Sequence, residues 1–317
     1  MQLGKGEDIM ESKKKTVKRA VIITIASVLA TVFVVLPSIS LLIYDSVFGA
    51  RFMTSPSRIK SVEDYPGLQR ERYDITSNEG QKIAAYHYFR EGQEVKGVVI
   101  MAHGFGGGGH NSYMNCASKL TENGYYAFAY DVTGNDESEG KSVRGLPQGV
   151  IDLDYVISFV EGCDRFDDLP ILLFGHSWGG FSVSSVLNEH PEVVAVCAIS
   201  GFNRSSDLLN AQGLEMVGPL IYLMLPYLKI YERVRFGKYA TQTSMDGFDN
   251  SDAKVMIIHS EDDTTVPIRY GYDIYYAEHA DDPDFVFVRY KNKGHNTILT
   301  DDVLEQAVDF YDSTLIG

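Results

Sequence analysis

Ser177 stands in the run Gly175-His176-Ser177-Trp178-Gly179, with Gly180 following. The apolar residues Ile171–Phe174 precede it, and Phe181, Val183 and Val186 can share one helical face after it. This is the G-x-S-x-G pattern in the setting it requires, a strand before the serine and a helix behind it. At so sharp a turn, side chains two positions to either side of the serine would collide with each other and with neighbouring strands. Glycine removes the collision and leaves the serine oxygen standing above the sheet edge. The helix that follows aims its N–H groups and dipole at the same place, favouring negative charge there. The chemistry open to such a residue is attack on a carbonyl carbon. A hydroxyl is a weak nucleophile, so it needs a base and a third group that orients the base.

Both are available downstream, in the order serine, acid, histidine that a strand-turn-helix serine calls for. "VMIIHSEDDTTVP" offers Glu261, Asp262 and Asp263 at the end of an apolar run, and "FVFVRYKNKGHN" offers His295 just beyond the next. The residues alone do not separate the three acids. The other histidines read as packing: His87 lies on a hairpin, His190 ends a helix and His259 ends a strand. His103 and His110 are the two that could line a cleft.

Such groups need a scaffold to bring them together. Apolar runs predict strands at Val98–Ala102, Tyr125–Tyr130, Ile171–Phe174, Val193–Ile199, Val255–His259 and Phe285–Tyr290. Helices are predicted over roughly Ser112–Glu122, Gln148–Val160, Trp178–Glu189, Ile268–His279 and Asp301–Tyr311. Short, continuously apolar strands alternating with helices predict an α/β domain with a mostly parallel central sheet covered on both faces. Ahead of it, "RYDITSNEGQKIAAYHYF" alternates about Asn78-Glu79-Gly80, a hairpin signature. Between Gly201 and Asn250 no strand is predicted, and "GPLIYLMLPYLKIYERVRF" is far too apolar for an ordinary loop. A helical lid over a cleft is expected at about 202–250.

From about Tyr73 to the C-terminus the chain resembles the α/β-hydrolases, particularly their monoglyceride-lipase-like and serine-aminopeptidase-like branch. The resemblance rests on "HGFGG", "YDVTGNDESEG", "GHSWGG", "EDDTTVP" and "KGHN". It implies the α/β-hydrolase fold, with Ser177 as nucleophile and His295 as base. The family's acid commonly precedes Val-Pro by three positions, which selects Asp263 over Asp262 and Glu261. One oxyanion donor is the N–H of the residue after the serine, Trp178; by resemblance the second is the N–H of Phe105, after His103-Gly104. The implied reaction is hydrolysis of a small ester or short peptide through an acyl-enzyme, with no cofactor and no metal. A lid rich in Leu, Ile, Tyr and Met favours an ester with an apolar acyl part. An aminopeptidase would need an anionic pocket, for which Glu215 or Glu232 is available. A non-catalytic binding module is the third reading, although every catalytic position holds a competent residue.

One loop departs from the family pattern D-x-x-G-x-G-x-S-x-G: Asp136 stands where the second Gly is usual. Asp tolerates left-handed backbone better than most residues, so the loop is expected to survive. "GNDESEGKS" has five residues between its glycines, three of them acidic, and is not a phosphate-binding loop.

The 317 residues are 44% hydrophobic, enough for one large domain, and carry a formal charge of −15. An acidic globule is a poor partner for nucleic acid, whose phosphates call for Lys and Arg. The N-terminus is different. "KKKTVKR", Lys13 to Arg19, precedes a mostly apolar run from Ala20 to Ile43. As a helix that run reaches roughly 36 Å, against about 30 Å for a bilayer core. The basic cluster before it puts the N-terminus in the cytoplasm and the bulk of the chain outside. A cleaved signal peptide has an apolar region of about 7–15 residues and a small-residue cleavage site. This run is longer and no A-x-A site follows it, so an uncleaved single-pass anchor is expected, the alternative being a secreted protein. The expected plan is a cytoplasmic basic segment 1–19, an anchor 20–43, a connector 44–69 and a hydrolase domain 70–317. Cys116, Cys163 and Cys197 cannot all pair internally, and Cys197 reads as a small buried apolar residue.

Overall fold

The computed structural model describes residues 3–316, with side chains from Met10 onward. The chain opens as one long helical rod. Helix α1 (Leu3–Ala30) passes through a π-helical turn, Thr31–Val35, into α2 (Leu36–Phe48). Pro37 explains the irregular turn. Leu36 N–H bonds to the Thr31 carbonyl, one residue beyond α register. The next donor in that register is Pro37, which has no N–H, so the Val32 carbonyl is left without a helical partner. The rod stays exposed as far as Val35, whereas Ser40, Tyr44 and Phe48 are buried at four-residue intervals. The helix therefore runs to Phe48, and the connector expected from residue 44 begins after it. The apolar run ends at Ile43, but packing against the domain holds the next turn in place.

The hairpin β1 (Gln69–Thr76) and β2 (Lys82–Phe89) follows, then β3 (Gly97–Ala102), α3 (Met114–Glu122), β4 (Tyr125–Tyr130) and α4 (Pro147–Glu161). Next come β5 (Ile171–His176), α5 (Trp178–Ser185) and β6 (Ala195–Ile199). The insertion folds as α6 (Ser205–Val217), α7 (Ile221–Phe236) and α8 (Ser244–Asp249). The chain closes with β7 (Lys254–Ser260), α9 (Tyr272–His279), β8 (Phe285–Tyr290) and α10 (Asp301–Ile316). Several helices differ from expectation at their ends: 3₁₀ turns at His110–Tyr113, Val186–Asn188 and Ile268–Tyr270 flank α3, α5 and α9.

The eight strands form one sheet in the order β1-β2-β4-β3-β5-β6-β7-β8. Pairings β1–β2 and β2–β4 are antiparallel, and every pairing from β4 to β8 is parallel. Strands β3, β5 and β6 are wholly or almost wholly buried, which is why they read as unbroken apolar runs. Two apolar layers cover the sheet. One is built on α3 and α10; the other gathers α4, α5, α7, α9 and the end of α2. This is the α/β-hydrolase fold, and it aligns the C-terminal ends of β3, β5 and β7 along one edge.

Candidate active site

The serine sits where β5 gives way to α5, with φ 59° and ψ −117°. A non-glycine residue at positive φ stores strain, about 1–3 kcal/mol, and persists where its surroundings hold it. Here the Ser177 N–H bonds to the Ile199 carbonyl at 2.8 Å. The flanking glycines have the steric cause expected of them. A Cβ on Gly175 would lie 2.3 Å from the Gly179 carbonyl oxygen, and one on Gly179 only 1.9 Å from that of Ala102.

Ser177 Oγ lies 2.9 Å from His295 Nε2, and His295 Nδ1 lies 2.6 Å from Asp263 Oδ2. The other Asp263 oxygen accepts the N–H groups of Thr265 and Val266, at 2.9 and 2.8 Å. Burial alone would raise the Asp263 carboxyl, but hydrogen bonds from His259 and His295 hold it well below the ordinary carboxylate range. An ionised Asp263 fixes the proton of His295 on Nδ1, so that Nε2 presents its lone pair to the serine hydroxyl. The neighbouring acids do other work. Asp262 accepts from Ser260 Oγ at 2.5 Å and from Gly294 N–H at 2.9 Å, tying the histidine loop to β7. Glu261 pairs with Arg289 at 2.9 Å.

Trp178 opens α5, so its N–H has no partner within the helix. Gly104, one residue before Phe105, packs so closely that a Cβ there would be 3.4 Å from Ser177 Cβ. The two peptides expected to donate thus flank the serine. The Phe105 ring lies edge-on to Trp178, Phe48 and Phe52, with centroids at 5.5, 5.4 and 5.1 Å.

Two residues not singled out in the sequence join these parts. Tyr113 Oη accepts the Gly104 N–H at 3.0 Å and faces His176 Nδ1 at 2.9 Å; His176 Nε2 faces the His295 carbonyl at 3.0 Å. The carbonyl can only accept, so His176 donates from Nε2 and Nδ1 accepts the tyrosine proton. Burial pushes the His176 imidazole down to about 3, which keeps it in this neutral form. The relay runs from the glycine-rich loop to the histidine loop. His103 and His110 do not line the cavity. His103 Nε2 accepts the Val132 N–H at 3.0 Å, and buried His110 is held by Asp131 at 2.8 Å.

Asp136 adopts φ +34°, the left-handed backbone its position requires. Its carboxylate accepts from Thr54 N–H, from Thr54 Oγ1 at 2.6 Å and from Gly109 N–H at 2.9 Å, joining the connector to the glycine-rich loop. A glycine could not make this tie.

Ser177 and His295 open into a cavity of about 720 Å³, within the range of small-molecule sites. Its apolar walls include Leu208, Leu209, Ile221 and Leu228 of the insertion and Ile43, Val47 and Phe48 of α2. Arg58 and Lys60 are its charged lining; among the described residues no carboxylate lines it. Glu215 is exposed, and Glu232 is buried against Tyr44 and Ser205, so neither supplies the anionic pocket considered from the sequence. Glu161, His190 and Glu192 bring ligand atoms within 4.8 Å of one another. His190 is already engaged by Glu192 at 2.7 Å and Asp154 at 3.0 Å, and none of these residues lines the cavity. The three cysteines are free.

Residues 93–242 match the family model described as serine aminopeptidase, S33. An acylamino-acid-releasing enzyme from Rattus norvegicus is 23% identical over 62% of this chain and 28% of its own length. A caffeoylshikimate esterase from Arabidopsis thaliana is 33% identical over 27% of each chain. This chain therefore spans little more than a quarter of the length of either relative. Among solved structures, an esterase from Pyrococcus furiosus superposes with a TM-score of 0.64 at 15% identity, covering 84% of this chain and 99% of its own. That likeness is one of fold.

Proposed function

The chain is an α/β-hydrolase, and from that premise we propose that it is a serine hydrolase acting on carboxylic esters while held at a membrane by its N-terminal helix. The observation that carries the reading is the continuous hydrogen-bonded path from Ser177 through His295 to Asp263, opening into an apolar cavity. In this reading Ser177 Oγ attacks the substrate carbonyl carbon while His295 Nε2 takes its proton. The oxygen that becomes negative is met by the Phe105 and Trp178 N–H groups; removing one such donor costs about 10²–10³ in rate. Collapse of the tetrahedral intermediate breaks the bond to the leaving alcohol, which receives the proton from His295. Water, deprotonated by His295 in its turn, releases the acyl group and restores the serine.

An ester is favoured over a peptide with a free amine because Arg58 and Lys60 are the charged groups of the cavity. An ammonium group would meet repulsion there and no counter-ion. The likeness to an acylamino-acid-releasing enzyme supports a second reading, cleavage after a blocked amino acid, since an acylated amine carries no charge. The triad is tested by a fluorophosphonate probe, which should label the wild type and fail to label Ser177→Ala; equal labelling of both would remove Ser177 from its role. Rates on p-nitrophenyl esters against free and N-acylated aminoacyl anilides then divide the ester reading from the peptidase ones. For the membrane part, the apolar rod preceded by Lys13–Arg19 supports a single pass with a cytoplasmic N-terminus. The insertion, Ser205–Asp249, also has enough apolar character to cross a membrane, but it is broken into three helices and partly buried on the domain, which supports its reading as a lid.

A further inference from the structure

The N-terminal helix does more than adjoin the domain. Ile43, Tyr44, Val47 and Phe48 line the cavity that holds Ser177. Their spacing puts them on one stripe of α2, facing inward across from Leu208 and Leu209 of α6. Leu42 points elsewhere and is 71% exposed.

The helical rod that carries this stripe is held at two places. Near its C-terminal end, Tyr44 Oη donates to Glu232 Oε1 at 2.8 Å, and Ser205 Oγ donates to the other Glu232 oxygen at 2.8 Å. The Tyr44 hydroxyl also lies over Gly145, where a Cβ would be 2.0 Å from it. At the last residue of the helix the main chain is held too, with Arg144 N–H on the Phe48 carbonyl at 3.1 Å. Three turns earlier, Tyr227 Oη of α7 donates to the Val32 carbonyl at 2.8 Å. That is the carbonyl Pro37 leaves without a donor. Helix α7 therefore meets the rod at a carbonyl that Pro37 leaves free. An apolar stripe held open towards a nucleophile, with lining residues on the far side, is a surface shaped for an alkyl chain.

We propose that the last turns of the N-terminal helix, Ile43–Phe48, form one wall of an acyl-chain site, and that the ligand is a long-chain ester whose chain lies between α2 and α6. That this ester is a substrate rests on the serine hydrolase reading; the wall itself does not. The test uses the full chain in nanodiscs. Val47→Trp fills the stripe, and the ratio of kcat/KM for p-nitrophenyl dodecanoate to that for the acetate should fall at least tenfold. Leu42→Trp, on the exposed face, should keep the ratio within twofold of wild type. A ratio unchanged in Val47→Trp overturns the proposal. A second measurement needs no turnover. In Ser177→Ala, dodecanoate carrying a terminal diazirine should photo-crosslink to Ile43–Phe48 and to Leu208 or Leu209, and Val47→Trp should reduce those adducts at least fivefold. Adducts confined to residues 20–35 overturn the wall whatever the catalytic result. Adducts on Ile43–Phe48, in a protein whose wild type turns over no ester, uphold the wall and sink the hydrolase reading instead.

Discussion

His176 and Tyr113 carry as much of the site's geometry as the residues expected to do chemistry. Tyr113→Phe would leave the Gly104 N–H and His176 Nδ1 without a partner in a buried setting. Each orphaned group costs about 1–3 kcal/mol, so the variant should unfold at distinctly lower urea, with a lower kcat for short esters. Unchanged values for both would show that the relay positions nothing. Asp263→Asn removes the carboxylate that sets the His295 tautomer, and kcat should fall about 10³–10⁴-fold by steady-state assay. Asp262→Asn keeps an acceptor for Gly294 and should cost far less. The turn that holds Ser177 was legible in the sequence because its glycines have a local steric cause. Asp136 was legible in part: its backbone conformation followed from its residue type, but its ties to Thr54 and Gly109 did not. Tyr113 and His176 gave no signal, since an ordinary tyrosine and the variable residue of G-x-S-x-G meet only once the chain has folded. The choice among Glu261, Asp262 and Asp263 needed the family pattern, because three adjacent acids differ only in which way the loop turns them.

At the level of elements, the α2–α7 contact is closed on a buried carboxyl. Burial raises the Glu232 carboxyl to about 7, although hydrogen bonds from Ser205 and Tyr44 act to lower it. The unfolded chain releases this proton near 4.5, so between those values the folded state binds more protons than the unfolded one. Stability from this group is therefore full below about pH 4.5 and is lost as the pH rises through 7. The shift corresponds to about 3 kcal/mol. Wild type should melt at a higher temperature at pH 5 than at pH 8 by more than Glu232→Gln does, since glutamine stays neutral throughout. Calorimetry at the two values decides it, and parallel behaviour would remove Glu232 from the account. Strands β3 to β7 were legible because burial on both faces makes them continuously apolar. The 3₁₀ ends of α3, α5 and α9 were not, because a single turn leaves no periodicity. The extension of α2 to Phe48 was hidden for a different reason: Tyr44 is stabilised by Glu232, a partner on the far side of the sheet's sequence.

For the whole molecule, length sets the geometry at the proposed membrane. The rod is exposed on all sides only as far as Val35, and from Ala20 that is about 24 Å of helix. A bilayer core of about 30 Å takes in more than this. The lid end nearest the rod, with Leu220, Tyr222 and Leu223 exposed and Tyr227 touching Val32, should therefore meet the lipid. In a Cys163→Ser background, Leu223→Cys should react with an impermeant maleimide at least tenfold more slowly in vesicles than in detergent. Asp281→Cys should react alike in both; equal rates for Leu223→Cys would place the lid clear of the bilayer. The apolar rod was plain in the sequence, but its contacts with the insertion were not, because no local pattern records which face of an apolar helix is occupied. On the proposed reading, those contacts bear on engineering. Grafting the globular part onto a foreign leader, or releasing it by proteolysis ahead of Arg51, would strip away Ile43–Phe48 along with the tether. On that reading address and selectivity lie along one continuous helix, so neither can be exchanged as a module without rewriting the other.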